Sequence, residues 1–108
     1  MRNQLKISLS EIEIVPIKPH KGLVAFSSCV LNNQFYIGNI AIYTTPQGNF
    51  RLVYPVKSLK NGQKIDCFHP INKEAGEAMR EAIVEEYKQL IMDFEAEKVA
   101  KEKWKENK

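Results

Sequence analysis

Between Asp66 and Asn72 the chain changes its hydrophobic period, and that change limits the folds open to it. Upstream, short runs of β-branched and aromatic residues are broken by Pro, Gly and Asn, the pattern of successive strands. Downstream, Met79, Ile83, Tyr87, Leu90, Ile91 and Phe94 recur at steps of three and four, one face of a helix broad enough to cover a sheet. The order of these halves predicts an α+β domain, with an antiparallel four- to five-stranded sheet packed by one long C-terminal helix. Pro70 and Asn72 announce that helix. The Asn72 side chain is suited to accept a hydrogen bond from a free amide of the first turn, and Glu74 and Glu77 suit the positive end of the helix dipole. Gly76 weakens the same turn by about 1 kcal/mol relative to Ala.

In the sheet half, a first strand is expected from about Ile7 to Ile17. Ile12 and Ile14 alternate with Glu11 and Glu13, as a half-buried strand requires. Ile7 and Leu9 have the opposite parity, so either a bulge lies near Ser10 or the strand begins later. Pro16 suits an edge better than a sheet centre, and Pro19 is expected to end the run. Leu23–Leu31 and Gln34–Tyr43 form the clearest hairpin, joined by Asn32-Asn33, a pair that tolerates the positive φ of a tight two-residue turn. Thr45-Pro46-Gln47-Gly48-Asn49 signals a second turn before a strand at Phe50–Tyr54. From Val56 to Lys64, three lysines surround Asn61-Gly62, as a loop or a two-strand excursion tipped at Asn-Gly, and Ile65 to Phe68 is a brief returning strand in the second case.

At 108 residues, 44% hydrophobic and 27% charged, the chain has the size and composition of one globular domain. Residues 1–94 hold the sheet and the core-forming part of the helix. Residues 95–108 are a charged helical extension in which Val99 and Trp104 stand among Lys and Glu. That extension either frays or packs against a partner. The net charge of +3 is unevenly spread. Residues 1–69 carry eight Lys or Arg against three acidic residues, a net of +5, and residues 70–108 carry eight against ten, a net of −2. Any footprint for phosphate is therefore expected on the sheet half.

Cys29 and Cys67 read as small buried hydrophobes in a reducing compartment, because neither has the spacing of a metal or redox motif. His20 and His69 complete no metal-ligand pattern with them, and no cofactor is implied. No apolar run resembles a signal peptide or a membrane span, so a cytoplasmic protein is expected. Cys67 and His69 lie two apart, which puts them on one face if they occupy a strand. A third member and an oxyanion donor are missing, so catalysis is not expected. Asp66 is read as a structural group that fixes the loop or pairs with a nearby lysine.

Two basic clusters are candidates for phosphate contact. Lys57, Lys60 and Lys64 lie in the polar loop, and Lys18, His20 and Lys21 in the turn after the first strand, with Arg51 able to extend the basic face. Phe35, Tyr36, Tyr43, Phe50 and Tyr54 supply rings for stacking on unpaired bases, although some of them must fill the core under the helix.

The run Pro55-x-Lys57, Asn61-Gly62, then Asp66-x-x-His69-Pro70-Ile71-Asn72 and a helix reaching Glu86-Tyr87 resembles the SpoVG family (stage V sporulation protein G). A weaker echo is Leu31-x-x-x-Phe35-Tyr36-Ile37-x-Asn39-Ile40. The resemblance covers about residues 12 to 90. It implies an antiparallel sheet packed by the C-terminal helix, a homodimer formed by sheet-edge pairing, and binding to DNA or RNA through basic residues of the loop and helix region. This chain departs from the family at several basic positions: Ser58 follows Lys57, Ile65 precedes Asp66, and Glu74 and Glu77 stand early in the helix. The function expected is a non-enzymatic, nucleic-acid-binding regulatory protein. The alternative is an adaptor or inhibitor that keeps the fold, has lost the nucleic-acid surface, and meets a protein partner at the C-terminal helix.

Overall fold

A computed structural model describes residues 7–106, with side chains through Lys98. The chain runs β1 (Leu9–His20), β2 (Leu23–Leu31), β3 (Phe35–Thr44), β4 (Phe50–Val53), β5 (Val56–Ser58), β6 (Lys64–Asp66) and α1 (Lys73–Glu106). The first four strands form an antiparallel meander in sequence order, so β1 and β4 are its edges. β5 and β6 form a separate two-stranded hairpin, the excursion reading of the lysine-rich segment. The fold is α+β, as the change of period predicts.

The doubtful parity of β1 resolves as a bulge. Its register on β2 shifts between Ser10 and Glu13, and Glu11 takes a φ of 47°. The extra residue turns Leu9, Ile12 and Ile14 all toward the core. The expected stop at Pro19 is corrected. β1 continues to His20, because Ile17–Pro19 loop out of the ladder between the pairs Pro16–Ala25 and His20–Leu23. A proline with no amide to offer is tolerated in such a bulge on an edge strand.

At the Asn32-Asn33 turn both residues adopt positive φ (51° and 58°), and the Gln34 amide donates to the Leu31 carbonyl at 2.9 Å. Three residues separate the strands, one more than expected, since Leu31 pairs with Phe35. Asn32 is drawn to β1 instead of closing the ladder: its amide donates to the Ser8 carbonyl (2.7 Å), and its Oδ1 accepts the Ser8 amide (2.9 Å). A further left-handed residue, Asn39 (φ 59°), marks a bulge that restores Ile40 to the buried face.

The core joins Val24, Ala25, Cys29, Ile40 and Ile42 of the sheet to Met79 and Ile83 of the helix. Phe50 meets Tyr87 edge-on at 5.4 Å between ring centres, and Tyr54 meets Phe68 at 6.0 Å. Ser27 is buried, and its hydroxyl donates to the Ile40 carbonyl at 3.0 Å, so no polar group there goes unpaired. Asn72 caps the helix by accepting the Ala75 amide at 2.8 Å. The helical stripe needs one correction and one addition. Phe94 is 67% exposed, whereas Val84 is buried. A 34-residue helix is about 51 Å long and runs beyond the sheet beneath it, so its later apolar residues find no partner there. The helix is unbroken to Glu106; the Val99 and Trp104 side chains lie outside the described residues.

Candidate nucleic-acid interface

The β5–β6 hairpin places the lysines of the polar loop. Ser58 pairs with Lys64, Lys57 with Ile65, and Val56 with Asp66. Side chains alternate along a strand, so Lys57 stands on one face of this ribbon and Lys64 on the other. Lys60 sits at the tip and belongs to neither face. That tip is built by the Asn-Gly pair. The Leu59 amide donates to the Gln63 carbonyl (2.8 Å), Asn61 Oδ1 accepts the Gln63 amide (3.0 Å), and Gly62 supplies the positive φ of 88°. All three lysines are exposed. Among the described residues the ion pairs are Lys73–Glu77 and His69–Asp66, so none of the three ammonium groups is held by a carboxylate.

The other candidates gather elsewhere. His20-Lys21-Gly22 turns β1 into β2, and Thr44 at the end of β3 lies against that turn, its amide donating to the Gly22 carbonyl at 2.8 Å. Arg51 enters from β4 opposite Tyr43, with its guanidinium carbon 5.2 Å from the ring centre. Lys21 and Arg51 therefore share one end of the main sheet. Lys18 belongs to the bulge that precedes the turn. The lysine hairpin is reached only after β4 has run back from that end, so the basic residues form two clusters and not one surface.

Two readings at the sheet-to-helix junction change. Cys67 is exposed, not buried: its amide still donates to the Pro55 carbonyl at 3.1 Å, but the hairpin that it extends is exposed along both strands. His69 Nδ1 faces Asp66 Oδ2 at 3.6 Å, so the partner of Asp66 is this imidazole and not a lysine. Both side chains are at least half exposed, and such a pair adds little stability. Cys29 is buried, and burial pushes its thiol above the ordinary range.

The helix presents the opposite electrostatics. Glu74, Glu77, Glu81, Glu85 and Glu86 are all exposed. Three of them rim an apolar groove of about 760 Å³ between the first helical turns and the β2–β3 end of the sheet. A phosphate chain is repelled from that rim and drawn to the hairpin or the turn cluster. Among the described residues no three His, Cys, Asp or Glu side chains gather as metal ligands, and no helix is long and apolar enough to cross a membrane.

The sheet itself sorts the aromatic residues. Phe50 and Tyr54 pack on the core, whereas Phe35 and Tyr36 are 63% and 74% exposed. Sequence reasoning passed over Phe26, which is 38% exposed on β2. The signal was its parity, odd one out against Ala25, Ser27 and Cys29.

Comparison with known proteins follows the fold. Residues 7–89 match the SpoVG family. The chain is 27% identical over 84 residues to the "Putative septation protein SpoVG" of Clostridium perfringens, an alignment covering 78% of this chain and 92% of that protein. The protein of the same name from Bdellovibrio bacteriovorus is 27% identical over 85 residues (79% and 77% covered). That from Archaeoglobus fulgidus is 24% identical over 81 residues (75% and 94% covered). The matched span takes in the whole sheet, the lysine hairpin and the packed part of α1, and the chain belongs to the SpoVG family as a divergent member.

Proposed function

We propose that this protein is a non-enzymatic, nucleic-acid-binding regulatory protein that contacts phosphates through Lys57, Lys60 and Lys64. The observation that carries the reading is the hairpin itself: three exposed cations without carboxylate partners among the described residues, on an arm outside the main sheet. Lys18, Lys21 and Arg51 supply a second point of attachment at the far end of β4. Family membership supports a regulatory role, since the relatives are named for septation.

A homodimer through sheet-edge pairing fits β4 better than β1. The edge of β1 is interrupted by Pro16 and by bulges at both ends, devices that discourage strand addition. β4 is short but regular.

The test is a salt titration of the purified protein against labelled double-stranded DNA, single-stranded DNA and RNA. Affinity that falls steeply with salt, and weakens sharply in the Lys57→Glu, Lys60→Glu double variant, supports phosphate contact by the hairpin. Absence of binding at low salt rejects it. A second reading, an adaptor or inhibitor with a protein partner, is favoured by one observation. Met92 and Phe94 are 63% and 67% exposed where the helix overhangs the sheet. A Met92→Ser, Phe94→Ser double variant separates the two, because loss of a protein partner with nucleic-acid binding retained divides the roles between the helix and the hairpin.

A further inference from the structure

The main sheet has two faces, and α1 covers one of them. Strand register fixes what stands on the other. Val15, Phe26, Ala41 and Val53 align across all four strands. Ile40 and Ile42, the neighbours of Ala41, are fully buried under the helix, so this row points away from it. The same parity brings Tyr43 and Arg51 to the outer face beside that row, and Tyr36, paired with Val30, to its other end.

We infer that this helix-free face is a stacking platform for unpaired bases, so that the nucleic acid taken up is single-stranded. The inference rests on the nucleic-acid reading above and names its substrate class. Three aromatic rings share the face without a helix to cover them. Tyr36 is 74% exposed and lies over Gly38, where a Cβ would stand 3.1 Å from the tyrosine oxygen. Glycine at 38 thus makes room for the ring to lie along the sheet. Phe26 stands directly opposite Ala41, which makes Tyr43 its diagonal neighbour at about 7–8 Å. The Arg51 guanidinium sits 5.2 Å from the Tyr43 ring centre, adding a planar cation that stacks on bases and pairs with phosphate.

Charge selects the occupant. The exposed helical glutamates lie on the opposite side of the molecule. On the outer face, register places His20 and Arg51 in one row and Glu13 opposite Ser28, while Lys21 stands at the margin. A second copy packed face to face would have to desolvate Glu13, His20 and Arg51, a cost that pairing these charges across the interface often fails to recover. A single strand satisfies both features, with bases on the rings and phosphates toward the cations.

The test uses fluorescence anisotropy with three labelled probes: an oligothymidylate, an abasic strand of equal length and a duplex. The proteins compared are the full chain and its Phe26→Leu, Tyr36→Leu double variant. The full chain should bind oligothymidylate about tenfold or more tighter than the abasic strand. The variant should lose that preference and keep its affinity for the abasic strand. Equal binding of the two strands by the full chain overturns the platform and leaves the hairpin reading standing, as does a variant with unaltered preference. A variant that turns a dimer into a monomer in sedimentation, with nucleic-acid affinity unchanged, assigns the face to a second copy and also overturns it. Absence of binding to any probe at low salt rejects both readings together.

Discussion

Neutralising Lys57 and Lys60 together, as Lys57→Gln with Lys60→Gln, tests the phosphate reading quantitatively. Each lysine that neutralises one phosphate of a single strand contributes about 0.7 to the slope of log affinity against log salt. Removing two should therefore lower the slope by about 1.4. Between about 50 and 200 mM salt, a fourfold change, the ratio of wild-type to variant affinity should then shrink about sevenfold. The structure makes the comparison clean. Both side chains are exposed, neither is ion-paired among the described residues, and the hairpin is a sheet of its own, so stability should move by less than about 0.5 kcal/mol. It also separates the third contact. Lys64 projects from the opposite face of the ribbon, so a fall in slope with Lys64→Gln is expected where the nucleic acid wraps the hairpin, and no change would confine the contact to Lys57 and Lys60. Filter binding or anisotropy across a salt series provides the readout. An unchanged slope in the double variant would refute the reasoning, whatever happened to affinity at one salt concentration.

Other consequences concern the fold. Asn72→Ala removes the 2.8 Å cap and should cost about 1 kcal/mol in urea unfolding, whereas Gly76→Ala should stabilise by about 0.5–1 kcal/mol, since a Cβ there meets only Pro70 at ordinary contact distance. A chromogenic thiol reagent should titrate Cys67 in the native protein and reach Cys29 only after unfolding; rapid reaction of both would contradict the buried placement of Cys29. Burial, with a smaller contribution from Cys29, pushes the Tyr54 hydroxyl up to about 12 from an ordinary 10.0. The unfolded chain therefore releases this proton first. The stabilisation is complete below pH 10 and is lost as pH rises toward 12, by at most about 2 kcal/mol. Tyr54→Phe should flatten that part of the alkaline decline in stability, and an identical decline in both proteins would show that Tyr54 is not its source.

Local chemistry wrote much of this architecture into the sequence. Asn72 can cap a helix wherever it lies, because its side chain reaches the amide three residues on. Asn61-Gly62 bends the chain by its own dihedral preferences. The step of three and four from Met79 onward commits the C-terminal half to a helix, and the run from Pro55 to Asn72 marks the family. What the sequence left open depended on partners distant along the chain. Whether Glu11 bulges, whether β1 passes Pro19, and whether Phe94 finds a neighbour are settled by cross-strand register and by where the sheet ends. The basic residues show the same division. Their number and their excess in the first 69 residues are read directly, but only pairing in the hairpin sets Lys57 and Lys64 on opposite faces. Only the meander carries Arg51 to the far end beside Lys21 and sorts Phe26 and Tyr36 to the face without the helix. A residue's conformational preference is fixed by its own atoms and its nearest neighbours. Its face and its company are fixed by register, and a one-residue shift in register reverses them.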